Sequence, residues 1–293
     1  MRILLLGATG QVGWELQRTL SVLGDLVVTS RRGPTGLHLD TQDLAQLQAT
    51  LDSVAPDVIV NATAYTAVDK AESEPELAMR LNAEVPGLIG AWAAAHDALV
   101  IHYSTDYVFD GTKDGPYVES DPPNPLNVYG RTKLAGDQAL LASGCAAVIL
   151  RVSWVYGLRG HNFLLTMVRL MQEREELRIV DDQIGAPTWC RTIAQATSVV
   201  LARLPRDPEA RRGLCGVYHL SPSGSTSWFG FAQAIRDGLA LGCTLRPIPA
   251  CEYPTPAQRQ MNSRMDASRL QQVFGLSMSS WEADLGLCLG ERC

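Results

Sequence analysis

Several strong signals are missing from this 293-residue chain, and each gap removes a class of function. No apolar run approaches the roughly 18 residues of a membrane span, so no membrane partner is expected. The opening Met1-Arg2-Ile3-Leu4-Leu5-Leu6 stops at Gly7, too short for the apolar core of a signal peptide. No export is implied, and the chain reads as cytoplasmic. Positive charge is scarce: 25 Lys and Arg face 31 Asp and Glu, for a net charge of −6. That balance argues against nucleic acid or an acidic membrane surface as the main partner. The seven cysteines form no CxxC spacing and are odd in number, which fits reduced thiols rather than a disulfide framework or a zinc site. Internal repeats and low-complexity tracts are absent too.

What remains is a chain that is 46% hydrophobic, long enough for one or two domains with a large core. Residues 2–6 form a short apolar strand, followed at once by Gly7-Ala8-Thr9-Gly10-Gln11-Val12-Gly13 and an amphipathic helix. Each glycine has its own task. Gly7 turns the chain, Gly10 lets backbone amides approach a pyrophosphate, and Gly13 lets the new helix pack closely on the strand. The helix N-terminus then faces an anion with unpaired N–H groups. The spacing is GxxGxxG rather than GxGxxG, the form used by short-chain dehydrogenases.

A second strand over 25–29 ends in Ser30-Arg31-Arg32. An acid there would hold a ribose 2′-hydroxyl of NAD, whereas an Arg accommodates the 2′-phosphate of NADP, so the pair Arg31 and Arg32 favours NADPH, with NADH as the second candidate. Asp40 either lies near the adenine or caps a helix over 43–54. A buried strand over 57–61 ends in Asn61-Ala62-Thr63-Ala64-Tyr65, where Ala62, Thr63 and Ala64 are small enough for a cofactor to lie against the backbone. The long helix expected over 75–95 carries Asn82, a polar residue that needs a partner in mid-helix. It is either a surface Asn or a backbone clamp near the site.

The chemistry concentrates between Ser104 and Lys133. The apolar run 99–103 reads as a buried parallel strand, and Ser104-Thr105-Asp106 closes it. The carboxyl end of such a strand is where an open α/β sheet places its ligand. Downstream, Tyr129 and Lys133 stand four apart, on one face of a helix running to about residue 142. A phenol has an unperturbed pKa of about 10, and a nearby ammonium favours the phenolate and brings that value toward the working range. Thr105 to hold a carbonyl oxygen, Tyr129 to protonate it and Lys133 to tune the phenol therefore make a candidate catalytic trio. A further strand over 147–151 delivers Trp154, either a platform for a sugar or a core aromatic. From about residue 155 the regular alternation loosens, through helices near 163–172, 192–204, 227–239 and 266–274. The long stretch from Tyr253 to Arg264 lacks periodicity, and loops of that length are often functional.

On these residues the chain resembles the dTDP-4-dehydrorhamnose reductase family of extended short-chain dehydrogenases over essentially its whole length. The matching stretches are GATGQVGWELQ, PDVIVNATAYTAVDKAESEPE, HYSTDYVFDG, PLNVYGRTKLAG, LRVSWVYG, DDQIGAPT and YPTPAQRQMNSRM. The resemblance implies an α/β protein: a Rossmann-type doubly wound parallel sheet over 1–155 and a smaller C-terminal α/β substrate domain, mainly 156–293, with the chain free to cross back to the sheet. It implies reduction of the C4 ketone of dTDP-6-deoxy-L-lyxo-4-hexulose to dTDP-L-rhamnose by NADPH or NADH, with a dTDP-sugar as small-molecule partner, in a monomer or homodimer. Thr105, Tyr129 and Lys133 match the family's catalytic trio, with Tyr129 and Lys133 also against the cofactor. Gly7, Gly10, Gln11, Val12 and Gly13 match its dinucleotide loop. Ser104, Thr105, Asp106, Trp154, Arg259, Asn262 and Ser263 fall where the sugar nucleotide is bound.

Two departures stand out. Gln260-Met261 replaces an Arg-Pro before Asn262-Ser263. Arg191 stands where some members carry a Glu that helps bind magnesium between subunits, so no metal is assigned and a magnesium requirement is doubtful. A 4,6-dehydratase would need an Asp-Glu pair after the hydroxyl residue, and here Tyr107 follows Asp106. A sugar-nucleotide epimerase and a non-catalytic subunit of the same fold also compete with the reductase. The subunit is disfavoured by the intact trio and glycine loop.

Overall fold

The computed structural model describes residues 1–31 and 36–292. Its centre is a seven-stranded sheet in which every pairing is parallel. The chain enters through β1 (Arg2–Leu6), α1 (Gln11–Leu20), β2 (Asp25–Ser30) and β3 (Leu37–His38). It continues through α2 (Leu44–Val54), β4 (Val58–Asn61), β5 (Leu99–Thr105) and β6 (Ala146–Val152). Across the sheet the order is Gly216–His219, β6, β5, β4, β1, β2, β3. Strand order reverses between β1 and β4, and in open sheets of this kind ligands bind outside the carboxyl ends at such a point.

Burial follows the pleat. Ile3, Leu5, Val60, Ile101 and Val148 face one core with Leu16 and Leu20 of α1 and Ile193 and Val200 of the helix Cys190–Arg203. Leu4, Leu6, Ile59, Val100 and Ile149 face the other, with Leu47 and Leu51 of α2 and Ile89 and Trp92 of the helix Val85–Ala95. Strands apolar on both faces must be covered on both, which is the doubly wound arrangement. A third core of Tyr156, Leu164, Phe231, Trp281 and Leu285 fills the later part of the chain.

Two differences from the sequence expectation affect the site. The helix expected over 75–95 is broken into Pro75–Met79, a π-helical turn Arg80–Glu84 and Val85–Ala95. Pro86 has no N–H to give the Asn82 carbonyl, which removes the local α bond. Gly136 also approaches so closely that a Cβ there would lie 2.0 Å from that oxygen. Such π turns are frequent at functional sites. The second difference is the unforeseen strand Gly216–His219, which crosses back and pairs with β6 as the sheet's edge. No helix among the described residues is long and apolar enough to cross a membrane.

Candidate functional site

The turn between β1 and α1 opens onto a cavity of about 170 Å³. Gly7 sits at φ +83°, and a Cβ there would meet Ala62 O at 2.9 Å; at Gly13 a Cβ would stand 2.1 Å from Gly7 O and stop α1 closing onto β1. Gly10 precedes the helix with no side-chain cap, so the first amides of α1 are available to an anion. Gly7, Gly10, Arg31, Ala62, Thr63 and Ala64 are among the residues that line the cavity. Arg32 lies outside the described residues.

The side chains of three residues expected at the cofactor make other contacts. Gln11 Oε1 accepts from Asn162 Nδ2 at 2.8 Å, and the Val12 side chain packs between two cores. Neither is among the walls. Asp40 accepts the Gln42 N–H at 3.1 Å in a local turn, while Asp43 caps α2 by accepting the Gln46 N–H at 2.9 Å. Thr41, buried, takes the place in the cavity wall expected of Asp40.

Thr105 ends β5 with its hydroxyl donating to Asp106 Oδ1 at 3.0 Å and accepting the Tyr107 N–H at 3.2 Å. Tyr129 stands in the first turn of the helix Val128–Ala142, whose start is fixed by Asn127 accepting the Gly130 N–H at 2.8 Å. Burial raises the Tyr129 phenol, the hydroxyl of Thr105 acts in the opposite direction by hydrogen bonding, and the charges of Asp106 and Asp137 raise it again. Lys133 Nζ donates to the Tyr103 carbonyl at 2.6 Å and lies 3.2 Å from His102 Nε2, which anchors the lysine to the sheet. Burial lowers the Lys133 amine to about 8, with Asp137 opposing.

Ser104, expected at the substrate, turns its hydroxyl inward to Asp137 Oδ2 at 2.7 Å, an oxygen that also lies 3.5 Å from Arg151 Nε. Asp106 is 2% exposed, and burial pushes its carboxyl up to about 7. Trp154 adopts φ 46°, a strained conformation for a bulky residue, and one ring face is covered by Trp228 at 3.6 Å and 7°. Arg259 pairs with Asp69 at 2.8 Å and lies 5.7 Å above the Tyr107 ring, which meets Tyr129 edge-on at 5.4 Å. Asn262 donates to the Lys113 and Gly115 carbonyls at 2.6 and 2.9 Å, and Ser263 donates to Ile184 O at 3.2 Å. These last two act as clamps that hold the loop of 112–115 and the turn near 184 beside the site.

The RmlD substrate binding domain family matches residues 1–292. The chain is 45% identical to the dTDP-4-dehydrorhamnose reductase of Burkholderia thailandensis, covering 99% of this chain and 98% of that protein. It is 44% identical to the enzyme of that name from Escherichia coli K12, with the same coverage. The chain belongs to the dTDP-4-dehydrorhamnose reductase family. Among solved structures, the reductase of that name from Clostridium acetobutylicum superposes with a TM-score of 0.91 at 32% identity, covering 100% of this chain and 99% of that one. The Bacillus anthracis reductase, solved in complex with NADP, gives 0.89 at 34% identity, covering 99% of both chains.

Within this reductase fold, sequence reasoning missed the partners of the site residues. Gln260, noted only as a departure, donates from Nε2 to Asp106 Oδ2 at 3.1 Å. Trp228 and Tyr107 carry no spacing signal that would tie them to Trp154 and Tyr129. Asn82 proves to be the backbone clamp: its Oδ1 accepts the Tyr65 N–H at 2.8 Å and its Nδ2 donates to Tyr65 O at 3.2 Å and Thr132 Oγ1 at 3.1 Å. Arg191 does not stand alone, since its Nε lies 3.2 Å from Glu15 Oε2 and its Nη1 pairs with Glu291. Glu15 is thereby engaged by a guanidinium.

Proposed function

We propose that this chain reduces the C4 ketone of dTDP-4-dehydrorhamnose with NADPH, NADH being the second candidate donor, and so forms dTDP-L-rhamnose. The observations that support the reading are the Thr105 hydroxyl at the carboxyl end of β5, Tyr129 in the first turn of the helix Val128–Ala142 and a glycine-lined cavity at the β1–α1 turn, in a chain of this family. The cavity suits the dinucleotide: side chains at Gly7 or Gly13 would clash with backbone, and Ala62 and Ala64 leave room against β4. Arg31 in its wall favours a 2′-phosphate. In this reading residues 1–155 hold the cofactor and residues 156–293 mainly hold the sugar nucleotide, with Trp154, Arg259 and Asp106 facing it.

The nicotinamide, when bound, supplies the hydride. This chain's residues must then fix the ketone and move one proton. The Tyr129 hydroxyl donates to the ketone oxygen, and the Thr105 hydroxyl joins it by turning its one proton away from Asp106 Oδ1. As that oxygen gains negative charge, Tyr129 gives up its phenolic proton. Because burial raises the phenol, it stays protonated until that moment. Lys133 anchors the helix to β5 and is the group set to meet ribose hydroxyls. The chain is taken to work in the cytoplasm, as a monomer or homodimer. The test is incubation with NADPH and the 4-keto sugar nucleotide, following loss of nicotinamide absorbance and identifying the sugar by NMR. Oxidation without appearance of the 6-deoxy-L-sugar, or no oxidation at all, would sink the reading.

A further inference from the structure

Asn61, His102 and Lys133 form a line from β4 across β5 to the catalytic helix, and they are 1%, 0% and 1% exposed. The first member is oriented without ambiguity. The backbone N–H of Thr63, which can only donate, reaches Asn61 Oδ1 at 3.1 Å, and the Thr63 hydroxyl reaches the same oxygen at 2.6 Å. Asn61 Nδ2 is therefore the end that meets His102 Nδ1, at 3.2 Å. An amide NH₂ has hydrogens and no acceptor, so Nδ1 must accept. Burial holds the His102 ring neutral. A neutral imidazole whose Nδ1 accepts carries its single proton on Nε2. That N–H points at Lys133 Nζ, 3.2 Å away. An ammonium there would set donor against donor, whereas an amine offers a lone pair.

We propose that His102 is a positioning residue for the reduction: its Nε2–H bonds the lone pair of the Lys133 amine, favours that form and so lowers the pH below which the lysine becomes an ammonium. The other groups around Nζ are compatible. The Tyr103 carbonyl accepts from either form. From the lysine's own helix, Asp137 favours the ammonium but shares its carboxylate with Arg151 of β6 and Ser104 of β5. Thr63 also lines the dinucleotide cavity, so the line runs from the cofactor wall to the catalytic lysine.

Only the activity arm of the test rests on the proposed reduction. Ring ¹⁵N spectra of the cofactor-free protein, assigned with His102→Gln, should show the His102 proton on Nε2 and a bare Nδ1. Asn61→Asp offers Nδ1 a carboxylate and should move the proton to Nδ1. A wild-type ring protonated on Nδ1, or on both nitrogens, overturns the proposal. In the second arm, His102→Gln can turn its carbonyl oxygen to Nζ. The alkaline fall of kcat/KM should then move up by about one pH unit, a tenfold change in the amine–ammonium ratio. An unmoved limb in a variant that melts cooperatively also overturns it. If His102→Gln does not fold, the wild-type and Asn61→Asp spectra decide alone. A chain inactive toward the 4-keto sugar would refute the proposed reduction while the spectra still judged His102.

Discussion

Asn82→Ala tests how the cofactor wall is held. Asn82 is fully buried in the π turn, and its three hydrogen bonds tie that turn to both polar backbone groups of Tyr65 and to Thr132. The partners do not lose equally. Thr132 Oγ1 still donates to Tyr129 O at 2.9 Å, so truncation costs it one bond without stranding it. The Tyr65 N–H and C=O lose the bonds that Asn82 gives them, and Tyr65 is 8% exposed. A stranded buried polar group costs about 1–3 kcal/mol, so the pair costs roughly 2–6 kcal/mol. That is a large share of the roughly 5–15 kcal/mol that holds a folded protein together.

The substitution should therefore lower the urea midpoint with the slope unchanged. Function should follow, because Tyr65 directly succeeds the wall residues Ala62, Thr63 and Ala64. The loop is not fully released, since the Tyr65 hydroxyl keeps its bond to Glu74 at 2.7 Å. The expected signature is a raised KM for NADPH with a smaller change in kcat. A stability change within about 0.5 kcal/mol, the range of an ordinary surface substitution, would refute the reasoning by showing that Tyr65 is satisfied without Asn82.

Four further outcomes follow from the same geometry. Tyr129→Phe keeps the ring and removes the proton donor, so turnover should fall by ~10²–10⁴ while NADPH binding, read by fluorescence titration, persists. Arg31→Ala should raise the KM for NADPH and barely alter that for NADH; equal loss with both would make Arg31 a bystander. Asp106 is raised to about 7, so between its unfolded value and that point the folded state binds the extra proton, and its contribution to stability falls as pH rises. Asp106→Asn should flatten that decline between about pH 4 and 7 in thermal melts, and an unchanged slope would remove Asp106 as its source. Because Arg191 pairs with Glu15 and Glu291, EDTA should leave activity and solution mass unchanged, whereas loss restored by magnesium alone would show a metal site built from other ligands.

The parts of the site that were legible from sequence are those fixed by local rules. The β1–glycine–α1 unit, the small residues after β4 and the hydroxyl at the end of β5 each follow from spacing and residue type. The observed cavity is walled by the first two of these. The helix of Tyr129 was legible too, with its two functional residues a turn apart, whereas its Asn127 cap is seen only in the structure. What escaped is of another kind. The strand Gly216–His219 is only four residues long and gains its place by pairing with β6, 68 positions earlier. Gln260 reaches Asp106 across 154 positions, and Trp228 finds Trp154 across 74 that no periodicity spans.

Lys133 marks the border between the two kinds. Helical spacing fixes which face of the helix its Cα occupies, and four residues from Tyr129 that face is shared. It does not fix where a long, flexible side chain ends. Here the face packs on β5, and a buried amine must find hydrogen-bond partners within reach. The sheet offers the Tyr103 carbonyl and the His102 ring, and the amine meets both. His102 itself sits mid-strand in a run read as apolar, where a polar residue at 0% exposure has to be satisfied from neighbouring elements. Its partner on the far side, Asn61, closes β4 and was read from sequence only as the start of a cofactor wall. Polar residues buried inside such a sheet therefore carry information that periodicity hides: each obliges a partner, and the chain of obligations from Thr63 through Asn61 and His102 ends on the catalytic lysine.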